Sequence, residues 1–508
     1  MPPGWTTVPV GRSCRLVNGR AFKPTDWTND GLPIIRIQNL NNRDAPFNRY
    51  SGAVEGQFLV EDGELLFAWS GTPGTSFGAH IWDRGRAILN QHIFRLLDYE
   101  ALFDKRFLRC AINERLGDLI DLAHGGAGLA HVTKPKFEAT ELALPPLNEQ
   151  RRIVAKLEAL QTRSRRAREA LDAVPPLLEK LRQSILAAAF RGDLTKDWRA
   201  KHKDVEPASK LLERIRVERR KKWEEAELAK MKAKGKTPNG DEWKKKYKEP
   251  VPVDATGLPE LPEGWAWMNL GGVFEVCVGA TPSRAEASYW GGDVPWVSSG
   301  EVAFCRIRTT RESITKQGLC QTSTKLHPPG TVLLGMIGEG KTRGQAAILD
   351  VEACNNQNSA AIRVAATGVP PEYVYRYLEY EYERTRNVGS GNNQQALNKA
   401  RVEAIRIVMA PLEEQRVLHV RLDELLGVAD RMARAVTETS ELRQQLDRAV
   451  LAKALRGELV SQDPNDEPAE MMLARVRGAN GGVTNGPRKT KARRRGTMGI
   501  RAPSEEEP

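Results

Sequence analysis

Apolar residues recur every three or four positions over two long stretches of the chain. These positions are Leu171, Val174, Leu178, Leu181, Ile185 and Ala188 in the first stretch, and Leu418, Leu422, Leu425, Ala429, Met432, Val436 and Thr439 in the second. Alternating steps of three and four are typical of the narrow a/d seam of a coiled coil. The pattern therefore predicts two long helices whose seams pack on each other.

The two helical stretches also begin and end alike. Their flanking motifs are Pro145-Pro-Leu-Asn-Glu-Gln-Arg-Arg152 and Arg191-Gly-Asp-Leu194 around the first, and Ala410-Pro-Leu-Glu-Glu-Gln-Arg-Val417 and Arg456-Gly-Glu-Leu459 around the second. Gln150–Gly192 has the same length as Gln415–Gly457. Matched ends and equal length indicate an internal repeat rather than two unrelated amphipathic helices. Pro175-Pro176 occurs only in the first copy, where we expect a kink or a break.

The segment before each long helix has a different pattern. Residues 1–146 contain short strand-like runs separated by glycine, asparagine and proline, with a short helix expected from about Lys105 to Asp121. We predict a small α+β domain that is rich in β structure. Four of its features, including the trailing segment that follows the long helix, return later in the chain. The matched pairs are Gly4-Trp5 and Gly264-Trp265, Gly63–Gly71 and Gly330–Gly338, Asn90-Gln91 and Asn356-Gln357, and Glu206–Arg216 and Glu467–Arg477.

Charge and cysteine content narrow the class of protein. The formal net charge is +12, which suits a polyanionic partner. The six cysteines are scattered without C-x-x-C spacing, which argues against a zinc site or a disulfide framework. No apolar run approaches the roughly 20 residues that cross a bilayer, and no signal peptide is expected at the N-terminus. We therefore expect a cytoplasmic protein without a membrane segment.

Two charged stretches lie outside the repeated elements. Residues 196–250 are rich in lysine and glutamate, and from about Lys210 to Lys234 we expect a solvated charged helix that serves as a connector, with a grip on phosphates as the weaker alternative. Residues 478–508 are polar and rich in glycine and basic residues, so we expect a disordered basic tail.

Common catalytic motifs are absent from the sequence. There is no G-x-x-x-x-G-K-[ST] loop, no G-x-G-x-x-G between a strand and a helix, no H-E-x-x-H and no serine or cysteine nucleophile motif. Gly338-Glu-Gly-Lys-Thr342 has the wrong glycine spacing for a phosphate loop, and His124 and His131 do not form a convincing metal site. A protein that binds and positions is the more economical interpretation.

The doubled motifs resemble those of the specificity subunit of type I restriction–modification enzymes, the HsdS family. The resemblance covers roughly residues 4–477 and depends on the order, duplication and spacing of motifs that are individually short. It implies an α+β fold in which two small β-rich target-recognition domains are joined by two long antiparallel coiled-coil helices, with internal pseudo-two-fold symmetry. Each domain would read one half of a bipartite, asymmetric DNA site, and the helices would set the spacer and dock methyltransferase subunits.

The same resemblance assigns the chemistry to partners. Besides double-stranded DNA, these are two methyltransferase subunits and nuclease/translocase subunits, on which S-adenosylmethionine, ATP and Mg are expected. The chain itself would bind no cofactor or metal and would be a non-catalytic subunit. Two alternatives stay open: a coiled-coil scaffold without DNA specificity, and a self-contained DNA methyltransferase or nuclease.

These expectations divide the chain into segments. The predicted bounds are 1–146 for the first recognition domain, 147–195 for the first long helix, 196–257 for the connector with its trailing helix, 258–410 for the second recognition domain, 411–460 for the second long helix, 461–477 for a second trailing helix, and 478–508 for the tail.

Residues that differ between the copies are the better candidates for reading bases, because identical residues cannot explain two different half-sites. Gly4/Gly264, Trp5/Trp265, Gln91/Gln357 and Gln150/Gln415 are thus expected to be scaffold. Two pairs of polar segments differ in content: 70–78 against 338–344, and 124–136 against 389–399. Lysine and arginine can pair bidentately with guanine, and glutamine and asparagine with adenine, while backbone amides or threonine hydroxyls can hold phosphate. The base candidates are Ser70, Thr72, Thr75, Arg343, Gln394 and Gln395, and the phosphate candidates are Lys134, Lys136, Lys341 and Lys399.

Overall fold

Short apolar runs between turn residues fold as strands in the first 146 residues of the structure, a computed structural model. The strands are β1 (Thr6–Pro9), β2 (Arg15–Asn18), β3 (Leu32–Ile35), β4 (Arg49–Tyr50), β5 (Leu59–Val60), β6 (Leu65–Ala68), β7 (Ser70–Gly71), β8 (Gly78–Ile81), β9 (Ala87–Leu89), β10 (Ile93–Leu97), β11 (Ala130–His131) and β12 (Glu141–Leu144). The helices are α1 (Val10–Ser13), α2 (Ile37–Asn41), α3 (Lys105–Glu114), α4 (Leu116–Asp121) and α5 (Lys134–Glu138). The structure describes residues 1–71, 75–121, 130–235, 240–338, 341–387 and 397–480.

Four antiparallel strands in the order β2-β10-β6-β8 form the central sheet of this first domain. All four residues of β6 are buried, and α3 covers the β8 edge. The side chain of Asn113 on α3 fixes that contact, because it accepts a hydrogen bond from Ala79 N at 2.7 Å and donates one to Ala79 O at 3.0 Å. The first and last strands, β1 and β12, pair with each other, so the domain begins and ends at one place.

Helical periodicity after Pro146 forms the predicted long helix, but in two pieces. The helices of the middle of the chain are α6 (Leu147–Asp172), α7 (Val174–Phe190), α8 (Lys196–Lys201) and α9 (Ala208–Ala233). The break at Ala173 confirms the effect expected of Pro175-Pro176, since two prolines at the start of α7 leave the preceding carbonyls without their N–H donors. Ala173 itself keeps right-handed helical angles (φ −77°, ψ −19°), so helix assignment is interrupted for one residue.

The second domain repeats the strand plan of the first. Its strands are β13 (Ala266–Asn269), β14 (Glu275–Val278), β15 (Trp290–Val297), β16 (Cys305–Ile307), β17 (Glu312–Ile314), β18 (Thr331–Gly335), β19 (Ala346–Leu349), β20 (Cys354–Asn355), β21 (Ser359–Arg363) and β22 (Arg406–Met409). The helices that follow α9 are α10 (Leu270–Val273), α11 (Lys316–Gln321), α12 (Pro371–Tyr380), α13 (Tyr382–Asn387), α14 (Lys399–Glu403), α15 (Leu412–Leu455) and α16 (Ala469–Asn480). The order β14-β21-β18-β19 matches β2-β10-β6-β8, and β13 pairs with β22 as β1 pairs with β12.

Backbone contacts divide the chain into two units. Unit 1 is Met1–Ala170 with Thr439–Pro508, and unit 2 is Leu171–Glu438. Each unit therefore contains one β-rich domain, the first part of the helix that follows it, and the last part of the other long helix. The core of unit 1 includes Ala454 from the end of α15, and the core of unit 2 includes Phe190 from the end of α7.

The two long helices run in opposite directions within each unit. In unit 1, Ser164 Oγ lies 2.8 Å from Asp447 Oδ2, and Arg152 Nη2 lies 2.6 Å from Asp466 Oδ2. In unit 2, Arg182 pairs with Asp430, and Thr195 Oγ1 donates to Glu414 Oε1 at 2.6 Å. Residue numbers rise along one segment as they fall along the other, which defines an antiparallel arrangement inside both units.

The buried positions of α15 differ from the predicted seam. Leu418, Leu422 and Ala429 are buried as expected. Leu425 and Met432 are exposed, and Leu426 is buried instead. The prediction is wrong at these positions because the first half of α15 packs on the second domain as well as on a helix. It is also wrong at Leu181 of α7 and at Thr439, which are both exposed.

The connector helix α9 is only partly solvated. Ala208, Leu211, Leu212 and Ile215 are buried against the second domain, so the expectation of a wholly solvated helix is wrong for its first two turns. A further hydrogen bond joins Arg219 Nη1 to Gly271 O at 2.6 Å. The predicted tail at 478–508 lies outside the described residues from residue 481 onward.

Gly271 on α10 offers a direct test of the close packing between α10 and α14. A Cβ at Gly271 would lie 2.6 Å from Glu403 Cβ, whereas a Cβ at Gly272 would meet nothing nearer than Pro250 Cβ at 3.7 Å. We expect Gly271→Ala to destabilise unit 2 by about 1–3 kcal/mol through this overlap, and Gly272→Ala to have little effect. Amide hydrogen exchange followed in peptides of unit 2 measures the difference, and equal protection in both variants would contradict the packing.

Candidate nucleic-acid interface

The two hairpins β6–β8 and β18–β19 carry the first pair of candidate segments at their tips. The tip of the first domain holds Ser70 in β7 and the exposed Thr75, while Thr72 lies outside the described residues. The tip of the second domain holds Lys341 and Arg343. Two backbone hydrogen bonds close this tip. Gly344 N donates to Gly335 O at 2.8 Å, and Gly335 N donates to Gln345 O at 2.8 Å.

The second candidate segment meets the hairpin tip in both domains. Val132 N donates to Trp69 O at 3.0 Å in the first domain, and Leu397 N donates to Met336 O at 3.0 Å in the second. In the first domain the contact extends into a short antiparallel ladder, with Ser70 opposite His131. The described end of each second segment, at Val132 and at Leu397, therefore lies beside the strand that leads into the hairpin tip. This edge of each domain is the candidate interface.

The lysines of the first domain lie on α5, beside this edge. Lys134 Nζ donates to Leu16 O at 3.1 Å and lies 3.6 Å from Glu138 Oε1, with its side chain 45% exposed. Lys136 is half-buried. Phe137 anchors α5 to the core of the domain, since its ring stacks on that of Phe67 with centroids 3.9 Å apart. The ammonium group of Lys134 thus already makes one hydrogen bond and one ion pair inside the domain. Its contact with phosphate stays a prediction.

The candidates of the second domain are arranged differently. Arg343 is half-buried, and its Nη2 donates to Arg386 O at 2.7 Å. Lys341 is exposed. Lys399 begins α14 at the position that Lys134 has on α5, and its Nζ lies 3.5 Å from Glu403 Oε1. Gln394 and Gln395 lie outside the described residues.

The aromatic groups beside the tips were not predicted. Trp69 packs edge-on against His131 with ring centroids 4.5 Å apart, and Tyr382 donates through its hydroxyl to Lys341 O at 2.7 Å. Aromatic residues are individually common in strands and helices, so nothing in the sequence marked these two. Their roles depend on contacts between segments far apart along the chain.

The repeated motifs meet at a joint in each unit, away from the candidate interface. Joint 1 consists of Trp5, Glu149 and Gly457. Trp5 Nε1 donates to Glu149 Oε2 at 3.0 Å, and the left-handed Gly457 (φ 76°) sits where a Cβ would lie 3.0 Å from the Trp5 ring and 2.4 Å from Pro2 Cγ. Burial raises the pKa of Glu149, against the lowering effects of the Trp5 hydrogen bond and the Arg152 charge.

Joint 2 consists of Trp265, Glu414 and Gly192. Trp265 Nε1 donates to Glu414 Oε2 at 2.8 Å, and Gly192 is again left-handed (φ 81°). Glu414 Oε1 additionally accepts hydrogen bonds from Thr195 and Arg199. The G-W, L-x-E-Q and R-G-[DE]-L motifs are therefore one structural joint that the chain uses twice.

The other repeated residues divide into two groups. Gln150 is fully buried, where its amide donates to Leu102 O and Pro145 O, both at 2.9 Å, and Gln415 donates to Ala410 O at 2.7 Å. Both fit the expected scaffold role. Gln357 is exposed and accepts a hydrogen bond from Thr281, so it does not share the buried role of Gln150.

The basic connector lies far from the candidate interface of its own domain. The outer side of α9 and the ends of β14, β18 and β21 line a groove of about 1240 Å³, which includes Glu275, Thr331 and Arg363. The hairpin tip leaves the opposite end of β18. The groove beside α9 thus lies at the end of β18 opposite the tip of the second domain, and a grip on phosphates by α9 stays a prediction.

The described part of the chain contains no group of three or more histidine, cysteine, aspartate or glutamate side chains placed to hold a metal ion. None of its helices is long and apolar enough to cross a membrane. The six cysteines are free thiols.

Comparison with known proteins gives a consistent result. The model of the type I restriction modification DNA specificity domain matches residues 2–170 and again residues 262–430. The chain is 24% identical over 483 residues to the type I restriction enzyme EcoBI specificity subunit of Escherichia coli, covering 91% of this chain and 88% of the relative. It is 22% identical over 495 residues to the StySPI specificity subunit of Salmonella potsdam, covering 92% of both.

Solved structures share the fold. The HsdS subunit from Thermoanaerobacter tengcongensis aligns with a TM-score of 0.55 at 20% identity, covering 90% of this chain and 98% of that one. A chain from a structural study of complex assembly and conformational transition in a type I R-M system aligns with a TM-score of 0.63 at 21% identity, covering 90% and 99%. The family domain matches this chain twice, and the two matches together cover more than half of the chain. This chain therefore belongs to the type I restriction modification DNA specificity family.

Proposed function

We propose that the chain is the DNA sequence-recognition subunit of a type I restriction–modification complex, and that each domain reads one half of a bipartite, asymmetric site. The observation that carries this is the candidate interface itself. The same two segments meet at the same edge of both domains through matching hydrogen bonds, yet their residues differ. A common frame with unlike contents suits two reading heads for two different half-sites.

The two long helices would hold those heads at a set distance. The antiparallel pairing inside each unit, with Ser164 on Asp447 in one and Arg182 on Asp430 in the other, supports this role. A duplex is itself two-fold symmetric along its backbone, so two equivalent heads can enter major grooves about one turn apart, roughly 34 Å. Pseudo-two-fold symmetry of the whole chain and a coiled-coil spacer are parts of this proposal.

Catalysis is proposed to belong to partners. Methyltransferase subunits, two for each chain, would supply S-adenosylmethionine-dependent modification, and nuclease/translocase subunits would supply ATP- and Mg-dependent cleavage. The joint that occurs once in each half of the chain supports one methyltransferase subunit for each half. The complex would act on DNA in the cytoplasm. Methyl transfer to DNA by the purified chain alone would overturn the assignment of chemistry to partners.

Arg343 provides the test of base reading. Its guanidinium lies at the tip of the second domain and can pair with guanine O6 and N7. We expect Arg343→Ala to weaken binding to the cognate site by about 1–3 kcal/mol and to relax discrimination in the half-site read by the second domain. Competition binding with base-substituted duplexes, using the chain assembled with methyltransferase subunits, measures both effects.

Arg308→Ala is the matched control for lost charge. Arg308 is an exposed arginine of the same domain, with Nε 3.3 Å from Asp350, and it lies outside the tip. It should weaken binding slightly and leave discrimination unchanged. Equal discrimination by wild type and Arg343→Ala would remove Arg343 from the site. Binding that is indifferent to sequence in the wild type would refute the proposed function.

A further inference from the structure

Helix α13 is hydrogen-bonded to the hairpin tip of the second domain through one tyrosine, Tyr382. The hydroxyl of Tyr382, the first residue of α13, donates to Lys341 O at 2.7 Å and accepts from Arg386 Nη1 at 3.0 Å. Arg343 Nη2 then donates to Arg386 O at 2.7 Å. The backbone of the tip and the proposed base-reading arginine are therefore both tied to the same helical turn.

Close packing fixes the Tyr382 ring as well as its hydroxyl. A Cβ at Gly344 would lie 3.3 Å from Tyr382 Cδ2, and Gly344 has a left-handed φ of 84°. On another side, the Phe304 ring meets the Tyr382 ring edge-on at 5.2 Å. Phe304 has a φ of 49°, a strained conformation for a bulky residue that persists only where surrounding contacts hold it. Contacts with Gly344 and with Phe304 thus both restrict the position of the Tyr382 ring.

Among the described residues, the matching place in the first domain has different neighbours. Gly78 follows the first hairpin tip as Gly344 follows the second, and a Cβ at Gly78 would lie 2.9 Å from Asn113 Oδ1 and 3.1 Å from Leu116 Cδ1. Neither of these neighbours is a tyrosine. The described part of the first tip also pairs Ser70 with His131 in a short ladder.

We propose that Tyr382 is a specificity-positioning residue of the second recognition domain. Its hydroxyl holds the Lys341–Gly344 segment, and through Arg386 the Arg343 side chain, in the conformation that meets the bases of one half-site. This inference rests on the proposed function, since it needs the tip to read DNA. It adds a residue that touches no base and yet controls discrimination, because a displacement of an ångström at a bidentate contact is enough to lose it.

The test uses Tyr382→Phe in the full chain assembled with methyltransferase subunits. The half-sites are first mapped from methylated bases in cells that carry the complex. Binding is then measured to the mapped duplex, to duplexes substituted in the half-site of the second domain, and to duplexes substituted in the other half-site. We expect discrimination against duplexes substituted in the half-site of the second domain to fall about tenfold, the size of one lost hydrogen bond. Discrimination against duplexes substituted in the other half-site should be unchanged.

Two further variants make the result decisive. Tyr382→Leu removes the ring as well as its hydroxyl and should reproduce the loss. Tyr289→Phe removes an exposed hydroxyl of the same domain, one that lies 3.2 Å from Gln321 Oε1, and should change nothing. Unchanged discrimination in both Tyr382 variants, or equal loss at both half-sites, would overturn the inference. Sequence-indifferent binding by the wild type would instead refute the proposed function.

Discussion

Replacing Glu414 with alanine is expected to destabilise unit 2 by about 3–5 kcal/mol, the cost of removing one partner from a buried ion pair. The Glu414 side chain is 1% exposed and Arg199 is 21% exposed, so water screens the pair little. The variant would leave a guanidinium, the Thr195 hydroxyl and the Trp265 indole N–H without their acceptor. Three segments would lose their common anchor: the turn 193–195 that follows α7, helix α8 and the opening of the second domain.

The measurement is amide hydrogen exchange followed separately in peptides of the two units. Exchange should accelerate throughout 258–410 and stay near wild-type rates in 1–146. Unit-resolved exchange is needed because a chain of two units does not unfold in a single two-state transition. Equal protection of wild type and variant in 258–410 would contradict the role assigned to joint 2.

Glu149→Ala is the matched variant at joint 1. Glu149 accepts one hydrogen bond from Trp5, and its Oε1 has no hydrogen-bond partner among the described residues. We therefore expect a smaller loss, about 1–3 kcal/mol, the range for leaving one buried donor unpaired. It should appear in unit 1 instead of unit 2. A loss as large as that of Glu414→Ala would show that the additional partners of Glu414 contribute little.

Removing one heptad from each long helix is expected to change the spacer between the half-sites while leaving the half-sites themselves unaltered. The matched deletion is 167–173 with 438–444, in the register set by the pairing of Ser164 with Asp447. It spares the observed contacts of Ser164 with Asp447 and of Arg182 with Asp430, and it removes facing lengths of the antiparallel segments. Seven residues span about 10 Å of helix, the rise of about three base pairs. Modification of the original site should fall by at least about 100-fold, since one half-site is then out of reach.

Base-resolution mapping of methylation in cells that carry the variant with its partners provides the readout. Deletion of 167–173 alone is the control, because it shifts one helix against the other and should abolish modification at every spacing. A double deletion that methylates the original site with the original spacer would refute the helical spacer. A change in the half-sites themselves would also count against it.

Much of the candidate interface could be predicted from the sequence, because its signal is local and occurs twice. Segments 70–78 and 338–344 stand at equivalent places and differ in content, and the contacts of Trp69 and Met336 with the second segment confirm that each pair is adjacent. The individual base and phosphate contacts stay predictions. Tyr382 could not have been found, since its hydroxyl acts on Lys341, 41 residues away in the chain.

The repeat, the two long helices and the break at Pro175-Pro176 follow from local sequence patterns. Helical period, proline and capping glycines act within a few residues of where they stand, so a linear pattern records them. Long-range packing, in contrast, joins the end of each long helix to the domain of the other copy and buries Leu426 while Leu425 is exposed. Those outcomes depend on which apolar surfaces meet across hundreds of residues, where many pairings satisfy the same periodicity and packing selects one.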